Sequence, residues 1–460
     1  MNKNMPSRMK KSTIFSLSCL ALLAFAPHPG LAEEQSLSLK QAFELALEHS
    51  DQIQSSREDL QQAQGDVDIA TSKLYPQISA RAEHMRQKDF ERSQPVPTGD
   101  PSQPLEMKDS STPDKYNMLT LSLDQHVYQM GKLWSGRRLA KHYYEGARSG
   151  HLRHSQQVLF QVASKYYEVL LATRSIEIAQ DSLKRARQQQ DRAQALLEAG
   201  MATETDMLRA KVLVAQAREQ LEQAKNDQQI AREDLALEIG LDQLPPGQLQ
   251  SHKPQMPAEG MQKLQQIGLK QRHDLDQARK ALQAEAEGVE VQRADFFPRL
   301  SLHGQYSRTD EEDIFEGDEK DEWQASVRVS YPLFTGGERK AKLEQARSKK
   351  RQSRVSLARL EREVKTQVRS AYLDIQTREQ IVQHLEEEVQ AARSNYRQVL
   401  AQYEQGLATS VDLIDAQTAF SEAQSRLAQS RFGLNLDLIR LQFALGTLEK
   451  ELVQSEEGQS

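Results

Sequence analysis

The chain says the same thing twice. Leu74-Tyr75-Pro76-Gln77-Ile78-Ser79 returns as Phe296-Phe297-Pro298-Arg299-Leu300-Ser301, 222 positions later. Gly131, Tyr166, Gly200, Asp206 and Gly240 return as Gly337, Tyr372, Gly406, Asp412 and Gly446, each 206 positions later. Landmarks at a fixed offset report a duplicated structural unit. The fall from 222 to 206 means that the first copy holds 16 extra residues between its first and second landmarks. A Pro-rich stretch, from Leu244-Pro245-Pro246-Gly247 through Pro254 and Pro257, separates the copies. The organisation reads as a first repeat over 33–242, a linker over 243–260, a second repeat over 261–447 and a polar tail over 448–460.

Between those landmarks each copy switches to period-two patterning, the mark of a strand with one apolar face. Ile78, Ala80 and Ala82 alternate with Ser79, Arg81 and Glu83, and Leu119, Leu121 and Leu123 with Thr120, Ser122 and Asp124. In the second copy Leu300 and Leu302 alternate with Arg299, Ser301 and His303. Trp323, Ala325, Val327, Val329 and Tyr331 alternate with Gln324, Ser326, Arg328 and Ser330. Four strands are expected, at about 76–87, 116–129, 298–307 and 322–334. Their lengths suit tilted strands crossing a bilayer, one face toward lipid and the other toward a wet lumen. Four strands cannot close a barrel, and an open edge in lipid leaves backbone groups unsatisfied, so the barrel must be shared between chains. The segments between paired strands, 88–115 and 310–322, read as loops facing outside the cell.

The remainder is helical. Leu385, Val389, Ala392, Tyr396, Val399 and Tyr403 follow spacings of three and four. After a break at Gly406 the pattern resumes at Phe420, Ala423, Leu427, Ser430, Leu434, Leu438 and Leu441. The first copy does likewise through Val162, Tyr166, Val169, Thr173, Ile176, Gln180 and Leu183. These are coiled-coil seams, and a helix over 140–199 would rise about 90 Å. The composition agrees: 38% hydrophobic, 27% charged and only 6% aromatic, closer to long paired helices than to a close-packed α/β core.

The N-terminus has the layout of a secretory signal peptide. Lys3, Arg8, Lys10 and Lys11 precede an apolar run from Ile14 to Ala26 and then Gly30-Leu31-Ala32, which places cleavage after Ala32. The run is too short for a spanning helix and is broken by Pro27 and Pro29. Cys19, the only cysteine, leaves with it, which excludes disulfides and thiolate chemistry in the mature chain. Removing four positive charges takes the formal net charge from −6 to −10. So acidic a chain is poorly suited to nucleic acid. No later stretch is apolar for long enough to span a bilayer as a helix.

Signal peptide, two halves, two strands per half and long helical hairpins come with two strand-end motifs, Val127-Tyr128-Gln129-Met130-Gly131 and Leu333-Phe334-Thr335-Gly336-Gly337. Together these resemble the TolC family of outer-membrane efflux proteins over nearly the whole mature chain. The second motif has the family's form; in the first, Met130 stands where the first of two glycines is usual. The resemblance implies a mainly α fold with a β-barrel contribution: long coiled-coil hairpins forming a periplasmic tunnel, and four strands per chain of a shared twelve-stranded outer-membrane barrel. It also implies a homotrimer, a periplasmic adaptor and an inner-membrane transporter of the RND or ABC type as partners, and the role of a passive exit duct for efflux or type I secretion.

The helix reversals hold the candidate functional residues, in Gly200-Met201-Ala202-Thr203-Glu204-Thr205-Asp206 and in Gly406-Leu407-Ala408-Thr409-Ser410-Val411-Asp412-Leu413-Ile414-Asp415. Each Gly permits the left-handed turn that ends a helix, and Thr three residues before Asp reads as a capping box starting the next. Capping alone accounts for Thr203, Asp206, Thr409 and Asp412. Asp415 lies one turn beyond Asp412 on the same helical face, and no cap requires it. The resemblance assigns Asp412 and Asp415 to carboxylate rings at the narrow periplasmic mouth and Asp206 and Tyr403 to the gate. It assigns Gly200, Met201, Gly406 and Leu407 to the tips that meet the adaptor. Phosphate loops, dinucleotide fingerprints and His-Glu-x-x-His are missing, and His151 with His154 in a polar helix reads as solvated. No catalytic residue, cofactor or metal is expected. The competing reading is a periplasmic coiled-coil adaptor or scaffold whose strands form a small soluble β module.

Overall fold

The computed structural model describes residues 37–86, 92–96, 106–110, 115–245, 247–311 and 320–448. The segment read as a signal peptide and nearly all of the polar tail lie outside them. The first repeat runs α1 (Leu39–His49), α2 (Asp51–Ser72), β1 (Gln77–Arg86), β2 (Arg92–Val96), β3 (Glu106–Ser110), β4 (Lys115–Tyr128), α3 (Lys132–Glu198) and α4 (Glu204–Ile239). The second runs α5 (Met261–Gln271), α6 (His273–Ala294), β5 (Arg299–Glu311), β6 (Lys320–Ser330), α7 (Glu338–Glu404) and α8 (Ser410–Leu445). Helices α5 and α6 repeat the bounds of α1 and α2 at the offset of 222, and α7 and α8 those of α3 and α4 at 206.

At 67 residues each, α3 and α7 extend about 100 Å at 1.5 Å per residue. Each is paired along one half by the following 36-residue helix, α4 or α8, and along the other by α2 or α6. The chain breaks between α1 and α2 at Ser50 and between α5 and α6 at Arg272, both extended. Against these breaks the lower hairpins end. Gly240 and Gly446 close α4 and α8 at φ 89° and 75°, and a Cβ on Gly240 would lie 2.4 Å from the His49 carbonyl oxygen. Only glycine combines that backbone conformation with so close an approach.

The apolar core lies at this level, half way along the long helices. One cluster joins Phe43, Val158, Leu159, Val162, Tyr166, Leu235 and Ile239; the other joins Leu264, Leu275, Val364, Val368, Ile375 and Leu441. The linker is fastened here: the Tyr166 hydroxyl lies 2.8 Å from the Leu37 carbonyl oxygen and 2.7 Å from that of Gln250. Arg153 stacks over the Phe443 ring at 3.7 Å and donates to the Phe443 carbonyl, and burial brings its guanidinium down to about 10. Toward the tips the seam is thinner and Ala-rich, with Leu183, Ala186, Val214 and Ala217 and then Ala193, Met207 and Ala210. The expected seam through Ile176 and Gln180 is corrected there. Gln180 is exposed, and Ile178 and Ala179 are buried instead. Ile178 and Ala179 there share a cleft with residues of α4 and α8.

The main sheet is antiparallel in the order β1-β4-β5-β6, which leaves β1 and β6 as edges. Its register puts Ala80, Leu121, Tyr306 and Trp323 in one row and Gln77, Asp124, His303 and Ser326 in another. One face is thus apolar and the other polar. The apolar face is bare, with Trp323 80% and Val327 66% exposed. On the polar face Ser79 and Ser122 hydroxyls meet at 2.7 Å, and His303 Nδ1 lies 2.9 Å from an Asp124 carboxylate oxygen.

Two expectations change. The segment 88–115 is not simply a loop, because β2 and β3 within it pair as a separate two-stranded ribbon. The described strands therefore number six rather than four. And β6 stops at Ser330 instead of continuing to 334, since Pro332 has no N–H to give the ladder.

Candidate functional site

The two helix reversals lie side by side at the end of the bundle remote from the sheet. Each is built in the same way. Gly200 and Gly406, both at φ 74°, turn the chain out of α3 and α7, and a capping box restarts it. The Thr203 hydroxyl and backbone N–H donate to an Asp206 carboxylate oxygen at 2.7 and 3.1 Å, while the Asp206 N–H donates to the Thr203 hydroxyl at 3.3 Å. Thr409 and Asp412 repeat this at 2.6, 2.9 and 3.3 Å. A carboxylate at a helix N-terminus also complements the helix dipole.

The copies differ in what else they do. The second carboxylate oxygen of Asp206 accepts a hydrogen bond from the Ser410 hydroxyl at 2.6 Å, so the first tip is clasped to the second. That bond, followed by those from Thr203, holds the Asp206 carboxyl below the usual aspartate range. Tyr403, buried just before the second reversal, has its phenol pushed up by burial and further by the charge of Asp206. Arg192 of α3 pairs with Glu404 of α7 at 3.2 Å. Asp412 is solvated, and the Thr409 bonds lower its carboxyl. Asp415 is exposed one turn further on, outside both capping boxes. Met201 and Leu407 stand at the extreme end, 74% and 75% exposed.

The structure therefore brings Asp206, Ser410 and Tyr403 together and leaves Asp412 and Asp415 on the open surface of the second tip. Sequence reasoning missed Ser410. Its only signal was the duplication, in which Ser410 stands where the first copy has Glu204 and Asp415 where the first copy has Arg209. Among the described residues no group of three His, Cys, Asp or Glu side chains could hold a metal ion, and no helix is long and apolar enough to cross a membrane. A bare apolar face on an open sheet, joined to 100 Å helices that end in a clasped pair of tips, is a membrane-anchored projection.

Residues 42–241 and 264–447 match the family model described as outer membrane efflux protein. The chain belongs to that family. As an outer membrane efflux protein it lies in the outer membrane with its helices extending into the periplasm, and the family is not one of enzymes. The alkaline protease secretion protein AprF of Pseudomonas aeruginosa is 28% identical over 304 residues, 64% of this chain and 63% of its own length. Protein CyaE of Bordetella pertussis is 25% identical over 443 residues, covering 91% of this chain and 86% of that one. The outer membrane channel CmeC of Campylobacter jejuni superposes with a TM-score of 0.75 at 16% identity, over 91% of this chain and 89% of the other. At that identity the likeness is one of fold, and it covers sheet and helices together.

Proposed function

We propose that three copies of this chain form a passive exit duct, through which substrates leave an inner-membrane transporter for the cell exterior. The observation that carries the reading is the four-stranded sheet with bare edges β1 and β6 and a bare apolar face. With four strands alternating in direction, β1 of one copy runs antiparallel to β6 of the next, so one contact repeated head to tail can close a ring. Three copies give twelve strands, an even number in the range of outer-membrane barrels. A soluble adaptor or scaffold would leave Trp323, Val327 and Val329 in water.

At the other end, Asp412 and Asp415 line the periplasmic mouth as stacked carboxylate rings that favour cations. Asp206 and Tyr403 hold the mouth shut. Gly200, Met201, Gly406 and Leu407 meet a periplasmic adaptor, because Met201 and Leu407 offer apolar contact where nothing in the chain covers them. The transporter supplies the energy and is of the RND or ABC type. The duct serves efflux or type I secretion, in keeping with a family of outer membrane efflux proteins and with the likeness to AprF, a secretion protein.

Cross-linking in cells, followed by membrane fractionation and planar-bilayer recording, tests the reading. A heat-modifiable trimer in the outer-membrane fraction that conducts ions is the expected result. A monomer released from the periplasm without detergent would sink it.

A further inference from the structure

A cavity of ≈ 870 Å³ lies where the polar face of the sheet meets the helices, in the size range of small-ligand sites. Lys73, Lys132, Arg299 and Arg328 line it, with Asp124. Asp295 stands behind, accepting from Lys132 at 2.6 Å and from Arg299 at 3.0 Å. Asp124 is engaged by His303. Lys73 and Arg328 are exposed and have no partner among the described residues. Four cations thus face two carboxylates, in a chain whose overall charge is acidic.

The duplication supplies an internal comparison. At the offsets of 222 and 206, Lys73 corresponds to Asp295 and Lys132 to Glu338. The second copy follows ordinary helix electrostatics, with Glu338 in the first turn of α7 beside Lys342. The first copy reverses both charges. Helix α3 opens at Gly131 with no side-chain cap, no acid in its first turn and Lys132 as its first residue. Its second turn begins with Gly136, where a Cβ would meet nothing within 4 Å, and Leu133 and Gly136 border the cavity. Two unpartnered cations, Lys73 and Arg328, therefore share one concave surface with Lys132 and Arg299, a combination that suits oxyanions.

We propose that this cavity is a binding site for oxyanions of the phosphate class, held by Lys73 and Arg328 against the start of α3. That it opens on the lumen rests on the exit-duct reading; that it binds an anion does not. In the duct it sets a positive collar at the base of the barrel opposite in sign to the carboxylates at the tips, so that anionic groups are retained at the exit after a mouth that favours cations.

Inorganic tripolyphosphate is the probe. Calorimetry on the detergent-solubilised protein should show binding that weakens as salt is raised, and Lys73→Gln with Arg328→Gln should weaken it by roughly tenfold or more. Lys225→Gln, at a paired cation on α4 remote from the sheet, should leave it unchanged. Both substituted side chains are exposed and unpartnered, so oligomer yield should not change. In planar bilayers tripolyphosphate added from the barrel side should reduce conductance in the parent and far less in the double variant. No calorimetric binding, or equal binding by parent and double variant, overturns the site even if channels conduct. Binding without any conductance leaves the site standing and counts against the duct.

Discussion

Met130 is the one non-glycine residue with a left-handed backbone among the described residues, at φ 46°. The duplication shows what the position asks for. Its counterpart 206 residues on is Gly336, at φ 60°, and each is followed by a left-handed glycine, Gly131 or Gly337. An L-residue in this conformation costs about 1–2 kcal/mol through the clash of Cβ with the following carbonyl oxygen. Glycine removes that cost but returns about 0.5–1 kcal/mol through the larger freedom of its unfolded chain. Losing the Tyr128 hydroxyl contact to Met130 Sδ, 2.9 Å and exposed, subtracts little. Met130→Gly should therefore stabilise each chain by about 0.5–1 kcal/mol, and a trimer by about 1.5–3 kcal/mol. Gly336→Met should have the opposite effect of similar size. A Cβ at Gly336 would meet nothing within 4 Å, so only the backbone is being tested. The measurement is the midpoint for thermal loss of the oligomer in detergent, and the exchanged double variant should return close to the parent. Destabilisation by Met130→Gly, or no effect of Gly336→Met, would refute strain as the difference between the two junctions.

Three further outcomes are expected. Val327→Arg, on the bare apolar face, should cost about 2–4 kcal/mol near the bilayer centre, whereas Ser326→Arg on the polar face should cost much less; equal loss of assembled oligomer would reverse the assignment of faces. In planar bilayers Asp415→Ala should weaken cation preference and block by a trivalent cation, while Asp206→Asn should act on opening and leave selectivity nearer the parent. Unchanged selectivity and block in an assembled Asp415→Ala channel would remove that residue from the mouth. Ser410→Ala removes a hydrogen bond to a charged group, about 1.5 kcal/mol, and should raise the open fraction roughly tenfold. Because the Asp206 carboxyl is lowered in the clasped state, the clasp contributes fully above the ordinary aspartate value and is lost as pH falls through the lowered one. Channels that open equally often in Ser410→Ala and the parent at neutral pH would show that the clasp does not hold the mouth.

Much of this architecture is legible in the residues because the signals are long and made twice. Alternation over five to nine residues separates the faces of β1, β4, β5 and β6, and the Gly and Thr-x-x-Asp punctuation of the tips is local chemistry that survives any packing. The ribbon of β2 and β3 is another matter. It contains Pro95 and strongly polar residues such as Lys108 and Asp109, so no apolar face marks its strands, and its pairing is a property of the hairpin as a whole. Near Gln180 the regular spacing points to the wrong positions, because which side chains are buried there depends on α4 and α8, which share a cleft with Ile178 and Ala179. Ser410 was illegible for a different reason. A serine starting a helix looks the same whether or not a carboxylate from 204 residues away comes to meet it.

The equal lengths of α3 and α7, and of α4 and α8, have a mechanical consequence. A gasket seals only if its rim is level, and here the rim is made from separate hairpins whose reach is counted in residues. Adding one helical turn to α3 alone would step its tip about 5.4 Å past that of α7, parting Asp206 from Ser410 and Arg192 from Glu404. Insertions in the long helices are therefore tolerable only as matched pairs, one in each repeat, while the 16 surplus residues of the first copy fall between β1 and β4, beyond the part of the molecule where length is a tolerance.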